Sequence, residues 1–246
     1  MKNNVRVAAA QIKLTHSINK NIDKISKFVE KAAKKKCDIV CFPEESTFQK
    51  EDKINDKVMI EINNGINKIR EKCREHKIWI ILPTYEKVGK KIYNTALVIN
   101  RKGTVVGKIK KKHLWRYEKK SVSPGSSKVI KTEFGKIAVI ICWDFAFPTY
   151  IQSLSKKGAR IIFCPSFLVA HVGTEKLMES VPIVRAFENI AYYVTCDAIT
   201  SRTASRSFIA SPYSILRKIE KKEGMIYADL DLKRIDKMRK SFDTLC

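Results

Sequence analysis

Acidic residues are scarce in this chain: 25 aspartates and glutamates stand against 49 lysines and arginines, a formal net charge of +24. The excess is mostly lysine in short clusters, "KKK" at 34–36, "KKK" at 110–112 and "KK" at 221–222, with acids running among them. No zinc-finger or RNP-type string accompanies them, so solvated faces explain the charge at least as well as a nucleic-acid footprint. Histidine is rarer still. Only His16, His76, His113 and His171 are present, and none lies in a recognisable signature for Cys–His catalysis. No apolar run approaches the roughly 20 residues needed to cross a bilayer, and the start, "MKNNVRVAAAQIK", lacks a signal-peptide layout. The seven cysteines are an odd number without a secretory signal, which argues against a disulfide framework. We therefore expect a cytoplasmic protein with reduced thiols and no membrane partner. Cys37 and Cys41, four apart in one expected strand, share a face there, but no second pair completes a zinc site. Nothing resembles a linker or a low-complexity segment, so residues 1–246 read as a single domain long enough to bury a sizeable core.

What is present is a regular alternation of strands and helices. Residues 5–11 alternate as a strand, and Ile18, Ile22, Ile25, Phe28, Val29 and Ala32 recur at helical spacing over 17–36. Ser17 or Asn19 stands near the start of that helix as a cap. Strands are expected at 37–46, 78–85, 92–100, 104–111, 136–142, 159–166 and 192–199, three of them stopped by proline. Helices are expected at 54–75, 149–157 and 175–191, followed by a β-rich stretch over 206–230 and a short C-terminal helix. The segments "KKKCDIVCFPEES" and "SKKGARIIFCPSF" repeat one helix–strand–proline unit, as two layered halves of one α/β domain would.

Catalytic groups in α/β sheets collect beyond the carboxyl ends of strands. Three polar groups stand there: Glu44 after "DIVCFP", Lys111 after "TVVGKI" and Cys142 after "KIAVII". Strand alternation separates the lysines of "GKIKKKHLW". Lys108, Lys110 and Lys112 share one face, while Ile109, Lys111 and His113 share the other, so Lys111 is the inward one. An inward lysine needs a carboxylate partner or a function. Beside Cys142, the charge of Lys111 would favour thiolate, and Glu44 could accept the thiol proton. The sulfur would then attack a carbonyl or nitrile carbon to give a thioester-type intermediate. Lys111 and the backbone N–H of Trp143 would stabilise the developing oxyanion. The competing readings are a core cysteine and a solvated lysine.

Ordered along the chain, "CFPEES", "KIYNTALVINRKGTVVGKIKKKHLW", "YEKKSVSPG", "GKIAVIICWDFAFP", "GARIIFCPS" and "VRAFENIAYYV" resemble the nitrilase superfamily, the carbon–nitrogen hydrolases. The resemblance implies a four-layer α-β-β-α sandwich that commonly dimerises, with no metal or organic cofactor. It implies Glu44, rather than Glu45, as general base, Lys111 as the lysine and Cys142 as the nucleophile. Glu118 matches a second glutamate that supports the lysine and helps position substrate. The strings "ICWD" and "YEKKSVSPG" are nearer the amidase and N-carbamoyl-amine hydrolase branches than true nitrilases, which implies a small amide or carbamoyl substrate. Trp143, Phe145, Phe147 and Phe167 are candidates to line its pocket, with core packing as the competing role. The chain departs from the family pattern at Thr149 and Gln152, which replace an acid–base pair, and at Ser205, which stands in a glycine place. Three alternatives remain on this fold: a nitrile hydrolase, an acyl transferase, and a catalytically silent, basic, nucleic-acid-associated protein.

Overall fold

The computed structural model describes residues 3–49, 54–170 and 174–242, without the side chains of 174–176. One six-stranded sheet has the order β12-β1-β2-β3-β4-β5. Its strands are β1 (Asn4–Gln11), β2 (Ile39–Cys41), β3 (Trp79–Val88), β4 (Lys91–Ile99), β5 (Val105–Lys110) and β12 (Gly224–Asp231). The second sheet has the order β11-β10-β9-β8-β7-β6, built from β6 (Ile130–Thr132), β7 (Gly135–Val139), β8 (Ile161–Ser166), β9 (Tyr192–Asp197), β10 (Arg206–Ala210) and β11 (Ile215–Glu220). Helices α1 (Ile18–Lys34) and α2 (Asp56–His76) cover the first sheet. Helices α3 (Pro148–Lys156) and α4 (Thr174–Glu188) pack on the second, and α5 (Leu232–Phe242) follows β12. The result is the α-β-β-α sandwich.

Period-two alternation decides which layer each side chain joins. On β1, Val5, Val7 and Ala9 face the core shared by the two sheets, while Ala8 and Ala10 face α1 and α2. On β3, Trp79 and Ile81 point inward, and Ile80 and Leu82 point to the helices. Strands covered on both faces are apolar throughout, as in other buried sheets. Ser17 caps α1 by accepting from the Lys20 backbone N–H, so the first of its two candidate caps is the one used.

The structure alters several boundaries. The strand expected over 37–46 shrinks to Ile39–Cys41, and Cys37, lying before it, falls into the helix-side core while Cys41 joins the inter-sheet core. The two thiols therefore do not share a face. Pro83 and Pro165 lie inside β3 and β8 instead of ending them. In each case the neighbour on one side has already stopped, β2 at the partner of Ile81 and β7 at the partner of Phe163. A missing N–H therefore costs that side of the ladder nothing. The strand expected over 136–142 ends at Val139, and Cys142 opens a 3-10 turn, Cys142–Ala146.

Candidate active site

Glu44, Lys111 and Cys142 come from three separate segments and meet at the ends of β2, β5 and β7. Glu44 follows the short β2 and Pro43, in a turn that buries its carboxylate. Its neighbour Glu45 adopts φ 60, also borders the cleft, and accepts a hydrogen bond from the Tyr85 hydroxyl. Lys111 stands one residue beyond β5, with its backbone N–H donating to the Asn94 carbonyl. Its ammonium donates to Glu44 Oε1 at 2.8 Å and to Glu118 Oε2 at 2.7 Å. A buried lysine of this kind is held by carboxylates on two sides.

Asn94 is a member of this cluster that sequence reasoning missed. Its side-chain amide donates to Glu44 Oε1 at 2.7 Å and to Glu118 Oε1 at 3.0 Å. The signal was an asparagine, beside Thr95, in the mostly apolar run "IYNTALVI" of β4. Glu44 Oε2 also accepts the Phe167 backbone N–H at 3.0 Å, and Glu118 Oε2 accepts that of Trp115 at 2.7 Å. Both carboxylates are thus fixed by several donors each.

Cys142 has φ 45, a left-handed conformation unusual for a residue with a Cβ. Such strain costs on the order of 1–3 kcal/mol and persists only where the surroundings impose it. The thiol donates to the Phe167 carbonyl at 3.6 Å. Burial pushes Cys142 well above the ordinary thiol range, the charge of Glu44 adds to this, and Lys111 opposes both. Burial and the charge of Glu44 thus oppose the thiolate that Lys111 favours. Burial also raises Glu44, against the opposing charge of Lys111. For Lys111, burial acts downward, but Glu44, Cys142 and Glu118 outweigh it and hold the ammonium charged. The arrangement can pass a proton from sulfur to Glu44 while a fixed cation stands beside both.

These groups form the floor of a cleft of about 320 Å³ whose walls include Trp115, Trp143, Phe145 and Phe167. Trp115 and Trp143 meet edge to face, with centroids 4.5 Å apart. Phe147 lines no part of the cleft, because it stacks on the His113 ring at 3.6 Å. Thr149 is exposed and Gln152 half-buried on α3, and neither borders the cleft. Ser205 is buried with φ 53, so a side chain occupies a backbone conformation that glycine adopts more easily. His171 lies outside the described residues. Among the described residues no group of His, Cys, Asp or Glu side chains could hold a metal ion.

The sequence model of the carbon-nitrogen hydrolase family matches residues 6–240. The chain belongs to this family. The hydrolase is 30% identical over 237 residues to a protein of Pyrococcus abyssi named nitrilase, covering 88% of this chain and 86% of that one. It is 28% identical to the omega-amidase NIT2 of Xenopus tropicalis, over 95% of this chain and 91% of that protein. A solved carbon-nitrogen hydrolase from Helicobacter pylori G27 superposes with a TM-score of 0.90 at 21% identity, covering 98% and 94% of the two chains. That structure shares the fold.

Proposed function

We propose that this hydrolase cleaves the C–N bond of a small linear amide or N-carbamoyl compound through a thioester on Cys142. The observation that carries the reading is the convergence of Glu44, Lys111 and Cys142 on the floor of one aromatic-walled cleft. In the first half-reaction Glu44 takes the thiol proton as sulfur bonds to the carbonyl carbon. The Lys111 ammonium and the Trp143 backbone N–H stabilise the oxyanion. The C–N bond then breaks, and Glu44 gives its proton to the departing nitrogen. In the second half, Glu44 takes a proton from water as the water oxygen bonds to the thioester carbon, the C–S bond then breaks to release the acid, and Glu44 returns the proton to sulfur. Glu118 and Asn94 fix Lys111 and Glu44 throughout, while Trp143 and Phe167 contact the substrate. No step draws on a cofactor.

Residues 1–246 act in this reading as one catalytic unit. A homodimer is supported by α4, which turns Leu177, Val184 and Phe187 outward on one side at about half exposure. Burying that stripe against a second copy would remove apolar surface from water. The six described cysteines carry free thiols, which supports a reducing compartment such as the cytoplasm.

Ammonia release across linear amides, N-carbamoyl amines, N-carbamoyl amino acids and nitriles tests the reading, with Cys142→Ala as control. Release from amides or carbamoyl compounds, lost in Cys142→Ala, is the expected result. Release from nitriles alone would move the reading to a nitrile hydrolase, and product formation only with an added amine to an acyl transferase. Silence throughout, with salt-sensitive RNA binding, would favour the nucleic-acid alternative.

A further inference from the structure

We infer that Asp144 is a positioning residue that keeps the Lys111 segment and the Cys142 turn in register. This rests on the thioester reading above. The carboxylate is fully buried two residues after Cys142, and it reaches both sides of the site. Its Oδ1 accepts the backbone N–H of His113 at 2.8 Å, and the His113 ring Nδ1 lies 2.8 Å from the same atom. Its Oδ2 accepts the backbone N–H of Ile141 at 3.1 Å and lies 3.5 Å from that of Lys112. One side chain therefore holds the two residues that follow the buried lysine and the residue that precedes the buried thiol.

The chemistry of the donors explains why this group is a carboxylate. The backbone sites offer only N–H, and an ionised aspartate is an acceptor on both oxygens. An asparagine has the same shape but turns an NH2 toward one of the two segments, so one half of the clamp opens. The clamp also has a load to carry. Cys142 sits at φ 45 immediately after Ile141, and a strained residue needs its neighbours held. On the other side, His113 is fixed from three directions, by Asp144, by the Phe147 ring stacked at 3.6 Å and by Tyr150 edge-on at 5.1 Å. Lys111 is tied by backbone bonds to Asn94 of β4 and to Gly125 of the 121–129 loop, and neither bond reaches the thiol. Asp144 supplies the connection across.

The test is the rate at which a haloacetamide alkylates Cys142, followed by mass spectrometry, because it reads the nucleophile without a known substrate. Asp144→Asn, folded and with its thermal midpoint recorded, is expected to slow alkylation about ten- to a hundredfold, as small misplacements of reacting groups do. His113→Ala keeps the backbone bond to Asp144 and is expected to cost less. In turnover of any amide found to be hydrolysed, Asp144→Asn should lower kcat more than it raises KM. Amide hydrogen exchange on the unmodified protein gives an independent reading. The His113 and Ile141 amides share one acceptor group and should be protected together.

Alkylation at the unmodified rate in a folded Asp144→Asn, or rapid exchange at His113 beside slow exchange at Ile141, overturns the proposal. If Asp144→Asn does not fold, the exchange measurement decides. A Cys142 that reacts no faster than the other buried cysteines in the unmodified protein would instead defeat the thioester reading, so the two failures are distinct.

Discussion

The Lys111 ammonium and the Glu44 carboxylate form a 2.8 Å ion pair in which both side chains are almost fully enclosed, at 2% and 4% exposure. Enclosure makes the pair worth less as a source of stability than as a constraint. Desolvating two charges offsets most of their attraction, yet removing one partner leaves the other stranded.

Lys111→Met is therefore expected to destabilise the fold by about 3–5 kcal/mol, because Glu44 and Glu118 would share a buried site without a cation. Urea unfolding at neutral pH measures this. A cost that disappears in acid, where the two carboxylates are protonated, would identify their repulsion as the cause. An equal cost at every pH would contradict it.

In the proposed mechanism Glu44 must be ionised to receive the thiol proton, and burial pushes it above the ordinary carboxylate range. The acid limb of kcat/KM should accordingly lie above about 4.3, the usual glutamate value. Glu44→Gln should cut turnover by about 10² or more by removing the proton acceptor. An acid limb at or below the ordinary value would exclude Glu44 as the base.

Asp197 is a buried carboxylate that accepts the backbone N–H groups of Leu168 and Ala198 on one oxygen and of Arg206 on the other. It ties the cleft wall at Leu168 to the 198–206 segment. Burial pushes it from 3.8 up to about 8, against the backbone donors. The folded state thus binds its proton more tightly than the unfolded chain does. That contribution to stability is complete below pH 3.8 and is lost as the pH rises through about 8. Denaturant midpoints measured between pH 5 and pH 9 should fall, and the slope should flatten in Asp197→Asn whatever that variant's absolute stability.

Phe187→Asp places a charge on the outward stripe of α4, where Phe187 is 53% exposed. Sedimentation should show a dimer for the unmodified chain and a monomer for the variant, with secondary structure unchanged. A chain that is monomeric without the substitution would remove the dimer from the functional reading.

The order of strands and helices was legible because alternation is a local property, whereas the four-layer sandwich came from the family resemblance. Two residues of β1 or β3 suffice to say which points to the helices and which to the opposite sheet. The same rule singled out Lys111 from its neighbouring lysines. Phe147 shows where the rule fails: an aromatic beside a strand end can face the cleft or a neighbouring ring, and His113 decided it. Cys37 failed for a different reason, since its face depended on a strand that starts two residues later.

The sequence by itself determined the alternation of strands and helices, the trio of residue types proposed for catalysis and the strands that each of them follows. It could do so because side-chain direction and chain reversal are set by near neighbours. Only the tertiary structure decided that Asn94 joins Glu44 to Glu118, that Asp144 joins the Lys111 segment to the Cys142 turn, and that burial pushes the Cys142 thiol up. Each of these depends on groups brought together from distant segments, or on how much water they exclude. Pairing across 50 residues, as for Asn94 and Glu44, leaves no periodicity for a sequence to display.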